Sequence, residues 1–296
     1  MSGDLSCVPG FQIRFNHVRT ATLPDGTRVP ALGQGTWRMG ENKRERATEV
    51  AALRLGIGLG MSLIDTAEMY GDGGAEEIVG EAIDGQHEEV FVVTKVYPHN
   101  ASCKKLPKAC ERSLRRLHID AIDLYLLHWR ERTPPLQETV DTFGKLRAAG
   151  KIKRWGVSNF DLDDMEELFS LKHGRECATN QVLYNLENRE IEFDLLPRRY
   201  KNEIPLMAYS PVGHSGTLLR NGTLRKIANR HNAAPAQIAR AWVLRQLGVI
   251  AIPKASTEAH VHDNVGSLEI ELTEEELSDL DREFPPPKSK KSLPML

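Results

Sequence analysis

Eight short strand-like runs recur along the 296-residue chain, ending near Trp37, Asp65, Lys95, His128, Asn159, Gln181, Ser210 and Lys254. Their ends are spaced by 28, 30, 33, 31, 22, 29 and 44 residues, and most gaps hold one amphipathic helical stretch. Ala109 to Leu117, Leu136 to Ala149, Asp161 to Leu171 and Asn221 to Arg230 are examples. Eight β–α units with short connections are what a closed (β/α)8 TIM barrel of class α/β requires. A doubly wound open sheet is the alternative, but no Gly-x-Gly-x-x-Gly turn follows an early strand, which argues against its dinucleotide-binding version.

Around these units the pattern predicts additions. Pro24-Asp25-Gly26 between His17–Leu23 and Thr27–Val29 reads as an N-terminal β-hairpin. The longest gap holds two helical patterns, Thr223 to Asn232 and Ala234 to Leu247. Beyond the eighth strand, Thr257 to Val265 and Thr273 to Phe284 read as extra C-terminal helices. Thr273 with Glu276 forms a capping box, and Pro285-Pro286-Pro287 stops the last helix. No linker composition interrupts the rhythm, so one domain over 1–296 is expected, with 1–12 a loose leader. The tail, 285–296, is read either as a frayed end or as a cover for the site.

Composition removes several function classes. Net charge is about −2 and pI about 6.6, which gives no global attraction to nucleic acid or an anionic membrane. No apolar run approaches the roughly 18 residues of a bilayer span, and the N-terminus lacks the basic and apolar regions of a secretory signal. Cys7, Cys103, Cys110 and Cys177 match no zinc or redox spacing and are read as free thiols in a reducing cytoplasm.

In a barrel, strand ends share one mouth. Asp65, Tyr70 just beyond it, Lys95 and His128 would bring an acid, a phenol, an ammonium and an imidazole together. A phenol is a poor acid at neutral pH. An ammonium about 4 Å away favours the phenolate by roughly 4 kcal/mol at an effective dielectric of ~20, making the phenol a usable general acid–base. Asp65 would hold Lys95, and His128 would polarise a carbonyl. The set suits proton delivery to a carbonyl oxygen while another group delivers hydride. Taken singly, Asp65 also reads as a cap or turn former, Lys95 as a surface or Schiff-base lysine, and His128 as a satisfied core histidine.

The stretches Asp65-Thr66-Ala67-Glu68-Met69-Tyr70-Gly71, Thr94-Lys95, Leu126-Leu127-His128-Trp129, Gly156 to Phe160, Ala208 to Pro211 and Ile252-Pro253-Lys254 closely resemble the aldo-keto reductase superfamily, in order and spacing, from about Val29 to Phe284. Within it the chain resembles bacterial reductases of methylglyoxal and 2,5-diketo-D-gluconate. The resemblance implies a barrel that binds NADPH without a Rossmann fold, with NADH weaker. It implies Tyr70 as general acid, tuned by Lys95 and Asp65, with His128 orienting the carbonyl. Ser158, Asn159 and Gln181 would hold the nicotinamide amide, and Tyr209 would stack on its ring. Ser210, Val212 and His214 fall in the pyrophosphate loop. Lys254, Ala255, Ser256, Thr257 and His260 fall where the 2′-phosphate binds, and Asp263 and Asn264 where adenine does. Thr36, Trp37 and Asp65 complete the cofactor set; Trp37, Tyr70, His128 and Trp129 would line the substrate pocket.

His260 stands where the family often has arginine, and Ala255 where a serine or threonine often follows the lysine, so NADPH preference rests on Lys254, Ser256 and Thr257. The excursion from Val212 to Leu224 is short for a cofactor-clamping belt. The resulting expectation is a cytoplasmic monomer that reduces small carbonyl compounds, 2-oxoaldehydes such as methylglyoxal and keto sugars among them, with no metal, nucleic-acid or membrane partner. The competing readings are a non-catalytic nicotinamide-sensing partner protein and an aldolase-like barrel with a Schiff base on Lys95.

Overall fold

The structure, a computed structural model, describes residues 19–202 and 204–296, so the expected leader, Cys7, His17 and Val18 lie outside it. A hairpin of β1 (Thr20–Thr22) and β2 (Arg28–Pro30) opens the described chain, antiparallel with Thr20 opposite Pro30. Eight parallel strands follow: β3 (Gln34–Gly35), β4 (Leu63–Asp65), β5 (Phe91–Val96), β6 (Leu124–Leu127), β7 (Trp155–Ser158), β8 (Asn180–Leu183), β9 (Leu206–Tyr209) and β10 (Val249–Ala251). Each pairs with its sequence neighbour. The ring closes where β3 meets β10: the Gly33 N–H bonds Ala251 O at 2.8 Å, and the Gly35 N–H bonds Pro253 O at 3.0 Å. This is a (β/α)8 barrel.

Strand alternation sorts the side chains. Leu63, Val93, Leu124, Leu126, Met207, Ile250 and Ile252 form one buried cluster inside the barrel, and Ala21, Leu23 and Val29 of the hairpin plug its floor. Two residues further along their strands, on the same face, stand Asp65, Lys95, His128 and Tyr209. The intervening residues, such as Ile64, Val92, Tyr125 and Leu127, face outward to the helices. The period of two therefore sets an apolar plug below and a polar mouth above.

The helical layer is α1 (Arg46–Gly58), α2 (Gly74–Ala82), α3 (Leu106–Leu117), α4 (Leu136–Ala148), α5 (Leu162–Ser170), α6 (Leu195–Asn202), α7 (Gly222–Arg230), α8 (Pro235–Leu244), α9 (Glu258–Gly266) and α10 (Glu274–Glu283). The expected capping box of Thr273 and Glu276 is present, and Asp161 with Asp164 makes a second one on α5. Helices α2 and α6 escape the sequence pattern. A side chain at Gly80 would come within 2.5 Å of Arg116 O, so glycine lets α2 press on α3. Helices α7 and α10 are additions to the eight units, and they meet where His231 Nε2 lies 2.9 Å from Glu276 Oε2. No helix among the described residues is long and apolar enough to cross a membrane.

The strand expected over Pro30 to Trp37 is regular only at Gln34–Gly35, because it forms the seam. A Cβ at Gly35 would sit 2.7 Å from Ile252 O. Gly35→Ala is therefore expected to cost about 2 kcal/mol or more through overpacking of backbone against backbone. Urea unfolding measures it, and a midpoint equal to that of the native chain contradicts the seam.

Candidate active site

Lys95 organises the mouth. Its side chain is 0% exposed, and its ammonium donates to three acceptors: Asp65 Oδ2 at 2.7 Å, Thr66 O at 2.8 Å and the Tyr70 hydroxyl at 3.1 Å. Burial pushes the Lys95 pKa down, but Asp65 and then Tyr70 offset this, and the balance lies above the ordinary lysine value. Burial lifts the Asp65 carboxyl, while Lys95 and the Gln181 amide, 2.7 Å from Oδ1, pull it back. Lys95 is neither a surface lysine nor a free amine.

Tyr70 departs from the expectation that Lys95 would leave it more acidic. Burial raises its pKa, Lys95 lowers it and Asp65 raises it again, and the balance lies above the ordinary value. The phenol is therefore protonated at neutral pH, the form an acid needs. His128 is buried, and its pKa is pushed down to about 2, first by burial and then by Lys95. It is a neutral imidazole whose Nδ1 has no partner. Its ring meets the Tyr70 ring edge-on at 5.7 Å.

These groups open on a cavity of about 510 Å³, within the size range of small-molecule sites. Asp65, Tyr70 and His128 line it, with Trp37, 38% exposed, and Trp129 as walls. Thr36 lines it too, its hydroxyl held on Asp65 O at 3.0 Å. Ser158, Asn159, Gln181 and Tyr209 also line it. The Tyr209 hydroxyl donates to Asn159 Oδ1 at 2.9 Å, and Asn159 Nδ2 donates to Ser158 Oγ at 3.2 Å. Ser210, Val212, His214 and Lys254 line the cavity as well. Asn159 (φ 60°) and Ser210 (φ 49°) hold the left-handed conformation just past their strands, an arrangement concentrated at functional sites.

The rest of the expected cofactor set stands outside this cavity. Ala255 is buried, while Ser256 and Thr257 are half-buried. Thr257 caps α9, its hydroxyl accepting the His260 N–H at 3.3 Å, and His260 is exposed on the first turn. Asp263 is drawn inward by the buried Arg240, at 2.5 Å, so its carboxylate is already paired. Asn264 differs: it is buried and its amide nitrogen has no partner, an open donor of the kind an adenine ring nitrogen takes. Together, an aromatic face, an amide cluster, a lysine and an open amide fit a nicotinamide dinucleotide.

Two further contributors are the tail, read from the sequence as a frayed end or a cover, and Tyr97, which had no signal there. In the structure the tail lies at the site: Lys290 bonds Asp163 at 2.7 Å, and Met295 and Leu296 line the cavity that Tyr209 also lines. The Tyr97 ring packs edge-on against Trp129 at 5.8 Å. Cys110 and Cys177 are buried free thiols, both pushed up to about 12 chiefly by burial, and Cys103 is free and exposed.

The aldo/keto reductase family model matches residues 31–283. The chain belongs to the aldo/keto reductase family. Methylglyoxal reductase YeaE of Escherichia coli is 55% identical over 272 residues, which cover 90% of this chain and 95% of that protein. Glyoxal reductase of Bacillus subtilis is 35% identical, covering 88% of this chain and 91% of its own length. An aldo/keto reductase of Klebsiella pneumoniae, solved with NADP and acetate, superposes with a TM-score of 0.91 at 50% identity, over 94% of this chain and 100% of that one. A structure from the same organism with NADPH gives 0.92 at 49%, over 95% and 100%. The chain is thus an oxidoreductase by family.

Because folding depresses the His128 pKa below its unfolded value, the unfolded chain takes up the proton first as pH falls through 6.5. His128 therefore costs no stability above that pH, and about 1.4 kcal/mol for each pH unit below it. The stability difference between the native chain and His128→Asn is expected to shrink accordingly between pH 7 and 5. A constant difference means that the imidazole is charged in the folded state.

Proposed function

We propose that this aldo/keto reductase reduces small aldehydes and ketones, 2-oxoaldehydes such as methylglyoxal foremost, with NADPH: RCHO + NADPH + H⁺ → RCH₂OH + NADP⁺. The observation that carries the reading is the protonated phenol of Tyr70, 3.1 Å from a buried ammonium and open to a cavity that also holds a neutral imidazole. The names of the bacterial relatives, methylglyoxal reductase and glyoxal reductase, support the substrate class. The neighbours solved with NADP and NADPH support the cofactor.

Bound NADPH supplies the hydride. Tyr209, Asn159, Ser158 and Gln181 would hold its nicotinamide end, Ser210, Val212 and His214 its phosphates, and Lys254, Ser256 and Asn264 the adenosine end. Thr257 would contribute through the helix start that it caps, and Asp263 through the carboxylate oxygen that Arg240 leaves open. The protein's own steps concern the proton. Neutral His128 donates one N–H to the carbonyl oxygen, orients it and carries no positive charge of its own. As charge builds on that oxygen, Tyr70 gives up its proton to it. The phenolate left behind faces the Lys95 ammonium, an attraction worth roughly 5 kcal/mol at an effective dielectric of ~20. Asp65 keeps Lys95 charged and in place throughout. Trp37, Trp129 and the tail exclude water. A Schiff base on Lys95 would require that amine to give up its proton and three acceptors, so borohydride with substrate is expected to trap nothing there.

Tyr70→Phe is expected to lower kcat by about 10²–10⁴-fold while leaving NADPH binding within about threefold, measured by NADPH oxidation and by tryptophan quenching. Near-native turnover in that variant removes Tyr70 as the acid. Quenching by NADPH is expected at much lower concentration than by NADH, in one fast stopped-flow phase because the excursion after β9 is short. Equal affinities would mean that His260 and Ala255 have erased the preference for the 2′-phosphate.

A further inference from the structure

Glu68 lies two residues before Tyr70, buried, and belongs to none of the groups above. Its carboxylate is saturated by the loop that follows Lys95. Oε1 accepts the Tyr97 N–H at 2.9 Å and the Asn100 side-chain amide at 3.0 Å, and Oε2 accepts Arg112 from α3 at 3.2 Å. Its own backbone N–H reaches Lys95 O at 3.3 Å. One residue thus fastens the loop carrying Tyr70 to the loop beginning two residues after Lys95. That second loop packs behind a wall of the cavity: Tyr97 stacks on His99 at 4.7 Å and meets the edge of Trp129, which lines the cavity, at 5.8 Å, and Trp129 lies 5.0 Å from the His128 ring.

We infer that Glu68 is a positioning residue for substrate, which sets the Trp129 wall against the Tyr70–His128 pair by fixing Tyr97 and Asn100. The inference rests on the reductase reading for its substrate and on the contacts of Glu68 for its geometry. Three features favour a role in positioning over one in the proton step. Lys95 is held independently by Asp65 and Thr66 O, so its place does not depend on Glu68. The groups shifting the Tyr70 pKa are Lys95 and Asp65. The Glu68 bonds to Tyr97 and Asn100 both need an acceptor oxygen at one place, whereas Arg112, a partly exposed side chain, compensates the buried carboxylate's charge from α3.

The chemistry separates the two halves of the kinetics. Glu68→Ala is expected to raise KM for methylglyoxal about tenfold, with kcat within threefold and NADPH affinity within twofold of the native protein. Glu68→Gln keeps an acceptor oxygen and is expected to return KM to within threefold. Asn100→Ala, a milder change that spares the fold if Glu68→Ala does not, should raise KM in the same direction by less. Ligand-free Glu68→Ala should also show altered near-ultraviolet dichroism that a Trp129→Phe background abolishes, because Trp129 loses its fixed partner. An unchanged KM in Glu68→Ala, a fall in kcat instead, or a Glu68→Gln variant as impaired as alanine overturns the proposal. If the native chain binds NADPH but reduces no 2-oxoaldehyde, the substrate reading fails, and the dichroism still decides whether Glu68 sets the wall.

Discussion

A charged lysine with no access to water is the constraint around which the mouth of this barrel is built. An ammonium taken from water into the interior loses several kcal/mol of solvation unless every proton finds an acceptor. Lys95 finds three, from a carboxylate, a carbonyl and a phenol, and uses all of its donor capacity. Each acceptor fixes something else. Asp65 is held in turn by Gln181 across the barrel, Thr66 O belongs to the chain leaving β4, and Tyr70 faces the cavity. The need to compensate one buried charge thus sets the relative positions of β4, β5 and β8 at the polar end.

The same charge governs its neighbours through distance. It pulls the Tyr70 phenol toward ionisation while burial pushes the other way with greater effect, and it helps keep the His128 imidazole neutral. Two proton-bearing groups in one cavity are therefore set in opposite senses: a phenol that keeps its proton and an imidazole that never gains a second one. On the proposed reading Tyr70 supplies the proton, and the attraction to the ammonium beside it would grow as that proton leaves. Preorganisation of this kind needs no movement of charged groups during the reaction.

The barrel was legible in the sequence because strand periodicity and function coincide. Leu63 before Asp65, Val93 before Lys95 and Leu126 before His128 repeat one pattern, apolar inside and polar two residues on, and that pattern names both the strand and its site residue. Where the two signals separate, the sequence is less informative. Helix α2 is hidden by glycines needed for close packing on α3, and α6 by its charges and Pro197. The sign of the Tyr70 shift was not legible, since proximity to Lys95 can be read from strand ends but the depth of burial cannot. Nor could residue order reveal that Asp263 pairs with Arg240, 23 positions earlier.

The adenosine end differs from the catalytic end for a related reason. At the mouth, alternation within strands dictates which side chains converge, and each is fixed by partners in the interior. Beyond β10 the candidate groups stand on a helix start, where Thr257 is spent on its cap and His260 projects into solvent. On the proposed reading, a 2′-phosphate there would meet Lys254 and exposed side chains in a high dielectric, where each contact is worth little by itself. Selectivity between the two dinucleotides would then depend on a few weak terms added together, whereas proton delivery would depend on one strong, buried arrangement. A histidine at position 260 leaves the Tyr70–Lys95–Asp65 arrangement untouched, because His260 stands outside the cavity and no ion pair among the described residues joins the two ends.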